Sequence, residues 1–148
     1  MIRPIGPADE ALYLRLTDLF YHSPAVDHSI PQEYCRRTFA EMIRSCDYVE
    51  GYILEARPGV PAGYVLLAKM FSQEAGGMVW WVDELFVLPE FRNQGLGEAF
   101  FSWLETARPE AVKRLRLEVE PVNHGAKRLY GRRGFQPLPY EQMIREFP

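Results

Sequence analysis

The sequence predicts an α/β (α+β) fold whose strands and helices follow the order β-α-α-β-β-β-α-β-α-β-β. One observation behind this prediction is that 148 residues, 47% hydrophobic and 25% charged, suit one globular domain spanning residues 1–148. A second is that the spacing of apolar residues changes repeatedly between the period of a helix and that of a strand. The third is that no linker, repeat or low-complexity segment interrupts the pattern.

The N-terminal half predicts one strand, two helices and then two more strands. Residues 1–5 read as a short strand, and residues 8–21 and 32–45 carry apolar residues at helical spacing. Residues 48–55 and 63–71 are rich in strand-forming residues, and the prolines and glycine between them are typical of a hairpin turn.

The C-terminal half predicts strand, helix, strand, helix and one or two last strands. A nearly continuous apolar run over residues 78–88 indicates a central strand, and residues 96–107 place apolar side chains on one helical face. Residues 114–120 alternate between charged and apolar side chains, as in a strand with one polar face. Asn123, a favourable N-cap, opens a helix to about residue 133, after which weak alternation indicates the last strands.

Composition and charge exclude several classes of function. A formal net charge of −3 argues against a nucleic-acid-binding protein, which needs a dominant basic face. No apolar run approaches the roughly 20 residues of a membrane span and no signal-peptide pattern opens the chain, so we expect a cytoplasmic protein without a membrane partner. Cys35 and Cys46 lack the spacing of a zinc or redox pair, which predicts reduced structural thiols and no metal.

The segment from Val87 to Gly97 joins the predicted central strand to the next helix through a turn rich in backbone donors. A helix N-terminus has about four N–H groups without intrahelical partners, so this turn suits a pyrophosphate. The Gly-Lys-Ser/Thr of nucleoside-triphosphate loops is absent, and the glycine spacing of dinucleotide-binding loops does not match. Gly95 and Gly97 would let a ligand approach closely, or they merely ease a tight turn.

A second motif, from Asn123 to Phe135, lies on the last predicted helix. Asn123 and Tyr130 are seven residues apart, almost two helical turns, so they lie on one side of the helix. One ligand can therefore contact both. Tyr130 also suits a half-buried aromatic residue whose hydroxyl finds a local partner.

The two motifs, Arg92-x-x-Gly95-x-Gly97 and Asn123 to Phe135, resemble the signatures of the GNAT superfamily of acyl-CoA-dependent N-acetyltransferases. The resemblance implies a mixed, mainly antiparallel sheet of six to seven strands flanked by about four helices. It also implies that acetyl-CoA lies between the splayed fourth and fifth strands. The residues that would then hold this cosubstrate are Leu85, Phe86, Val87, Arg92, Asn93, Gln94, Gly95, Leu96, Gly97, Glu98, Asn123 and Tyr130.

The reaction that the resemblance implies is direct transfer of an acetyl group from acetyl-CoA to a primary amine, without an acyl-enzyme. An amine of pKa near 10.4 must first lose a proton, which costs about 4.6 kcal/mol at pH 7. A general base is therefore useful, and Tyr130 is the candidate acid that protonates the leaving thiolate.

Four carboxylates are candidates for the general base: Asp83, Glu84, Glu118 and Glu120. Members of the resembling family carry an acid at the position of Asp83 or at that of Glu118. Alternation places Asp83 on one strand face with Trp81 and Leu85, and it places Glu84 on the opposite face unless a β-bulge reverses the register. Glu118 equally suits a solvated strand face that pairs with neighbouring arginines.

The predicted acceptor is a small molecule with a primary amine. Acidic residues such as Asp27 and Glu33 would add to a negative potential that attracts a cationic amine. A protein N-terminal or lysine acetyltransferase is the alternative within the same chemistry, and a non-catalytic acetyl-CoA sensor is the alternative from another class. We expect a monomer or a homodimer.

Overall fold

The computed structural model describes residues 1–148, which form five β-strands and four α-helices in the predicted order. Two 3₁₀ turns, Pro7–Asp9 and Pro89–Phe91, lie before the first helix and after the fourth strand. The strands and helices, in chain order, are β1 (Ile2–Pro4), α1 (Glu10–Tyr21), α2 (Gln32–Arg44), β2 (Val49–Arg57), β3 (Val60–Ser72), β4 (Gly77–Val87), α3 (Leu96–Ala107), β5 (Val112–Leu117) and α4 (His124–Arg132).

The five strands form a single sheet in the order β1-β2-β3-β4-β5. The first four strands are antiparallel to their neighbours, and β5 lies parallel to β4. Because a parallel pair needs a crossover connection, α3 links β4 to β5 across one face of the sheet. The mixed, mainly antiparallel sheet that the sequence predicts is therefore confirmed.

Helices cover both faces of the sheet and divide the core into two clusters. On one face, α1 and α2 contribute Tyr13, Leu16 and Phe39, which pack with Tyr64 of β3. On the other face, the buried residues of α3 pack against the sheet; they are Phe100, Phe101 and Leu104. Burying each such side chain contributes about 1.5–3 kcal/mol. Both faces of the central strands are consequently apolar.

A β-bulge interrupts β4 at Asp83. Leu66 of β3 pairs with Glu84 and the next residue, Leu67, pairs with Val82, so Asp83 is an extra residue without a partner on β3. An extra residue reverses the alternation of side chains along the strand.

The reversal is visible in the core. Before the bulge, Trp80 and Val82 belong to the cluster under α3; after it, Leu85 and Val87 pack against that same cluster. The predicted grouping of Trp81 with Leu85 on one face is therefore wrong, because the bulge lies between them.

The sheet has five strands rather than the six to seven that were predicted, because the segment after α4 forms none. All residues from 136 to 148 are exposed, and no hydrogen bond joins them to the rest of the chain. Pro137 and Pro139 lack the N–H that strand pairing needs, which disfavours pairing along one edge of this segment. The fifth strand is also shorter than predicted, since it ends at Leu117 rather than at Glu120.

No helix in the structure is long and apolar enough to cross a membrane.

Candidate active site

The ends of β4 and β5 separate and open a cavity of about 370 Å³. The two strands pair only from Met78 with Val112 to Val82 with Leu117, and the residues of β4 beyond the bulge have no partner on that side. The loop between α1 and α2 closes the opposite wall with Ala25, Val26 and Ile30, among others. The predicted site residues that line this cavity are Asp83, Glu84, Leu85, Glu118, Asn123 and Tyr130.

The bulge brings both carboxylates of β4 to the cavity. Asp83 occupies the bulge itself, and Glu84 lies on the α1 side of the sheet, opposite the face that Val82 occupies. The exception allowed by the sequence, a reversed register, is thus the arrangement that occurs. Without it, one of the two side chains would lie under α3.

Glu84 is a buried carboxylate held by two tyrosines. Its side chain is only 7% exposed, and its two oxygens accept hydrogen bonds from the hydroxyls of Tyr21 and Tyr64, the latter at 2.5 Å. Burial raises the pKa of Glu84, the two tyrosine hydrogen bonds oppose this rise, and the charge of Asp83 adds to it. The carboxylate is therefore poised to accept a proton more readily than a glutamate in water.

Asp83 and Glu118 both line the cavity, just beyond the last residue pair that joins β4 to β5. The cavity walls desolvate Asp83 even though its side chain is open to the cavity, and this desolvation raises its pKa; the charge of Glu118 raises the pKa further. Glu118 forms no ion pair. Arg114 pairs with Glu74, and the guanidinium of Arg116 lies 4.2 Å from the ring centre of Trp81. Pairing of Glu118 with these arginines, one of the two interpretations of the sequence, is therefore not observed.

Tyr130 lies on α4 with its ring packed at 5.9 Å from each of the rings of Phe101 and Phe135. Burial raises the pKa of Tyr130, so the phenol stays protonated at neutral pH. Its hydroxyl makes no hydrogen bond within the chain, although the ring is largely enclosed. A local partner for this hydroxyl, the alternative that the sequence left open, is absent, and the hydroxyl is free to meet a ligand.

Asn123 caps α4, as predicted. Its side-chain oxygen accepts a hydrogen bond of 3.2 Å from the backbone N–H of Ala126. Because the oxygen is occupied in this way, the amide NH₂ group is the part of Asn123 that remains available to a ligand in the cavity.

The loop before α3 presents a run of backbone donors without acceptors. No hydrogen bond within the chain uses the backbone N–H of any residue from 93 to 98. Asn93 (φ 59°) and Gly95 (φ 80°) adopt left-handed backbone conformations, and no side chain caps the helix. The positive end of the α3 dipole adds to this concentration of donors, so the loop fits a pyrophosphate.

The side chains of this loop stabilise it from within. Arg92 donates from Nε to the backbone oxygen of Val87 at 3.0 Å, and Gln94 donates to that of Glu90 at 3.0 Å. Glu98 forms an ion pair of 2.8 Å with Arg132 of α4. The groups left for a ligand here are therefore mainly backbone N–H groups.

Gly97 also contributes to packing, a role that its predicted contact with a ligand did not include. A Cβ atom at this position would lie 2.8 Å from Cδ2 of Leu129 on α4. The absence of a side chain at Gly97 therefore permits α3 and α4 to pack closely, whatever it adds at the loop. The side chain of Phe86 is buried in the cluster under α1, which leaves its backbone for the predicted contact with the cosubstrate.

Two residues beside the predicted site were not identified from the sequence. Tyr21 ends α1 and lines the cavity, and Tyr64 lies in the middle of β3, yet both bind Glu84. Their partner is 63 and 20 residues away, respectively. Nothing in the pattern of β3 distinguishes Tyr64 from an ordinary core residue.

Comparison with protein families places most of the chain in one known group. Residues 13–135 match the model of the acetyltransferase (GNAT) family. The chain is also 40% identical over 125 residues to a Bacillus subtilis (strain 168) protein named as a candidate [ribosomal protein bS18]-alanine N-acetyltransferase. That alignment covers 84% of this chain and 78% of the relative.

Solved structures share the fold at low sequence identity. AAC(6')-Iy in complex with the bisubstrate analogue CoA-S-monomethyl-acetylneamine superposes with a TM-score of 0.80 at 16% identity, over 100% of this chain and 98% of that chain. The ribosomal-protein-alanine N-acetyltransferase from Brucella melitensis biovar Abortus 2308 superposes with a TM-score of 0.77 at 16% identity, over 99% and 98% of the two chains.

Proposed function

Because the chain belongs to the acetyltransferase (GNAT) family, we propose that it transfers an acetyl group from acetyl-CoA to the primary amine of a small cationic molecule. The observation that carries this proposal is the cavity at the split between β4 and β5. It combines carboxylates and a free phenol with the nearby loop of unpaired backbone donors.

Acetyl-CoA would bind along the open side of β4. The pyrophosphate would accept hydrogen bonds from the N–H groups of residues 93–98, which have no acceptor in the chain. The pantetheine arm would lie against the backbone of residues 85–87, which lacks a neighbouring strand on that side. Asn123 would contact the arm from α4, and the thioester would then be close to Tyr130.

The catalytic roles follow from the protonation states of the cavity residues. One of the carboxylates Asp83, Glu84 and Glu118 removes a proton from the ammonium group of the acceptor, because only the free amine has a lone pair to attack the thioester. Tyr130 then protonates the thiolate as it leaves. The raised pKa of Tyr130 suits this role, since the phenol holds its proton at neutral pH.

The acceptor is proposed to be small and positively charged. The cavity volume of about 370 Å³ is within the range of small-molecule sites, roughly 300–1,000 Å³. No lysine or arginine lines it, so the potential inside is negative and favours an ammonium group. The carboxylates that line it are Asp27, Asp83, Glu84, Glu118 and Glu120.

A second candidate acceptor is the N-terminal amine of a protein that begins with alanine. The observation that favours it is the 40% identity to the Bacillus subtilis relative named for this activity. The same catalytic groups would serve either acceptor. Which amine is acetylated therefore depends on the shape of the cavity walls and not on the catalytic residues.

Two measurements test the proposed function. Acetyl-CoA at a few hundred micromolar should raise the melting temperature by several degrees, because a ligand at 100 times its Kd stabilises the folded state by about 2.7 kcal/mol. Thiol release should then be measured with polyamines, amino acids, aminoglycosides and short peptides that begin with alanine. Stabilisation by acetyl-CoA without turnover of any amine would favour a sensor over an enzyme.

The substitution Tyr130→Phe tests the proposed acid. We expect kcat to fall by about 10²–10⁴-fold, the usual contribution of a general acid, while the Kd of acetyl-CoA stays within a few-fold of that of the wild type. Tyr140→Phe is the matched control, because Tyr140 is 64% exposed and lies outside the cavity. Full turnover in Tyr130→Phe would contradict the assignment.

A further inference from the structure

Tyr21 lines the cavity, and its hydroxyl donates a hydrogen bond to the largely buried carboxylate of Glu84, which reaches the same cavity. We propose that Tyr21 and Glu84 form a proton relay, in which Tyr21 accepts a proton from the acceptor's ammonium group while it passes its own proton to Glu84. This inference rests on the proposed function and specifies which carboxylate is the base.

The hydrogen bonds of Glu84 favour proton transfer through a tyrosine. One carboxylate oxygen, Oε1, accepts from Tyr21 and the other, Oε2, accepts from Tyr64. Only 7% of Glu84 is exposed. Glu84 also lines the cavity, but both of its oxygens are engaged, so the hydroxyl of Tyr21 is the more accessible of the two groups for an acceptor amine.

The two tyrosines differ in their access to the cavity. Tyr64 is 0% exposed and does not line the cavity, whereas Tyr21 is half-buried and does. A hydroxyl that donates to a carboxylate keeps its own lone pairs as acceptors. Tyr21 can thus accept a hydrogen bond from an ammonium group, and Tyr64 cannot reach one.

The proposed transfer balances without an ionised tyrosine. An N–H bond of the ammonium group breaks and its proton forms a new O–H bond with Tyr21, while the original O–H bond of Tyr21 breaks and its proton binds Glu84. The products are a neutral amine, an unchanged phenol and a neutral carboxylic acid. The proton returns through Tyr21 to water after the product leaves.

The surroundings of Glu84 favour this direction of transfer. Apolar burial and the negative charge of Asp83 disfavour the ionised carboxylate, so its affinity for a proton is raised. The pKa of Tyr21 is raised well above its ordinary value by burial and by Glu84, which makes a free phenolate unfavourable and a coupled transfer preferable. The other titratable groups packed around this pair are Tyr13, Cys35 and Tyr64.

Two Tyr→Phe substitutions separate the relay from a structural role. With an acceptor that the wild-type enzyme acetylates, Tyr21→Phe should lower kcat by about 10²–10⁴-fold at pH 7 and leave the Kd of acetyl-CoA unchanged. Tyr64→Phe removes the other hydrogen bond to the same carboxylate but no part of the relay. It should keep most of the kcat at high pH, with the acidic limb of the pH–rate profile moved upward.

The nature of the acceptor provides a further readout. A fluorinated amine of low pKa arrives at the enzyme already deprotonated, so the loss in Tyr21→Phe should shrink by at least tenfold with such an acceptor. A structural defect would slow both acceptors alike. Glu84→Gln should show the same pattern, and the double variant should lose no more than either single variant, because the two residues act as one unit.

The outcomes distinguish failure of the relay from failure of the proposed function. If the wild-type protein acetylates no amine in the panel, the proposed function fails. If the wild type is active and Tyr21→Phe keeps its kcat, or loses it equally with acceptors of high and low pKa, the relay is wrong. If Tyr21→Phe does not fold, full turnover by Glu84→Gln would equally overturn the relay.

Discussion

At the scale of single residues, Glu84 combines two properties that lower the stability of a folded protein. Its carboxylate is buried, and it accepts hydrogen bonds from two neutral hydroxyls without forming an ion pair with any cation. Burial without a countercharge costs free energy in the ionised state. Such a group is typical of a site where a proton acceptor is needed, and Glu84 lines the candidate active-site cavity.

Glu84→Gln is expected to stabilise the folded protein above the ordinary glutamate pKa. The pKa of Glu84 is raised from 4.5, so the folded state binds the proton more tightly than the unfolded state, and stability falls as the pH rises through this window. The variant lacks this loss. Its melting temperature should exceed that of the wild type by a few degrees at pH 8 and match it at pH 4. A lower melting temperature at pH 8 would contradict the assignment.

Residues of the candidate site were predictable where they belong to a local sequence motif. Tyr130 and Asn123 lie seven residues apart at one helix, and Asp83 lies within a long apolar run, so residue types and spacing were enough to make them candidates. Tyr21 and Tyr64 reach Glu84 only through the packing of α1 on the sheet. No local pattern encodes such a contact, and these two residues were accordingly missed.

At the scale of the elements, β3 and β4 approach each other closely at Gly63. A Cβ atom on this residue would lie 2.0 Å from the backbone oxygen of Phe86, a contact that no side-chain rotation can relieve. The end of β4 that carries the site is therefore held against β3 at a distance that only glycine permits.

Substituting alanine at two glycines tests this close approach. Gly63→Ala should lower the free energy of unfolding by about 1–3 kcal/mol, the usual cost of overpacking, because the strands must move apart. Gly131→Ala, on α4 with no atom within 4 Å of the added Cβ, should raise it by about 0.5–1 kcal/mol. Urea denaturation of both variants measures the difference, and equal effects would contradict this account.

The elements themselves were largely predictable, whereas the bulge was not. Apolar periodicity located all four helices and the five strands that form. The run from Val79 to Val87 is apolar on both sides of Asp83, so its pattern cannot show where the alternation reverses. The position of the reversal is fixed by pairing with β3. Two successive residues of β3, Leu66 and Leu67, pair with Glu84 and Val82, and Asp83 between them is left unpaired.

At the scale of the whole molecule, the two clusters of the core account for the body of the protein, and residues 136–148 lie outside both. This segment carries exposed apolar side chains and makes no hydrogen bond with the body. Its weak alternation predicted strands, but a strand forms only where a neighbour satisfies its backbone groups. Alternation alone therefore overestimated the size of the sheet.

Deleting residues 136–148 should leave the body intact. Because these residues are all exposed and make no hydrogen bond with the body, we expect the melting temperature to change by no more than about 4 °C, equivalent to roughly 1 kcal/mol in a domain of this size. Chymotrypsin should cleave the full chain first near Tyr140, as mass spectrometry of brief digests would show. A truncated chain that fails to fold would show that the segment supports the core.

The extra residue in β4, Asp83, interrupts regular strand pairing but contributes a carboxylate to the cavity. Removing Asp83 would join Val82 directly to Glu84. These two residues already pair with Leu67 and Leu66, which are successive in β3, so the deletion would make the pairing regular. In a library of single-residue deletions selected only for heat resistance, this deletion should persist, although it should lower the rate of acetyl transfer because it removes a carboxylate that lines the cavity. Asp83→Ala, which keeps the extra residue, should gain less heat resistance and lose less activity. Selection for stability and selection for turnover would thus pull the length of this strand in opposite directions.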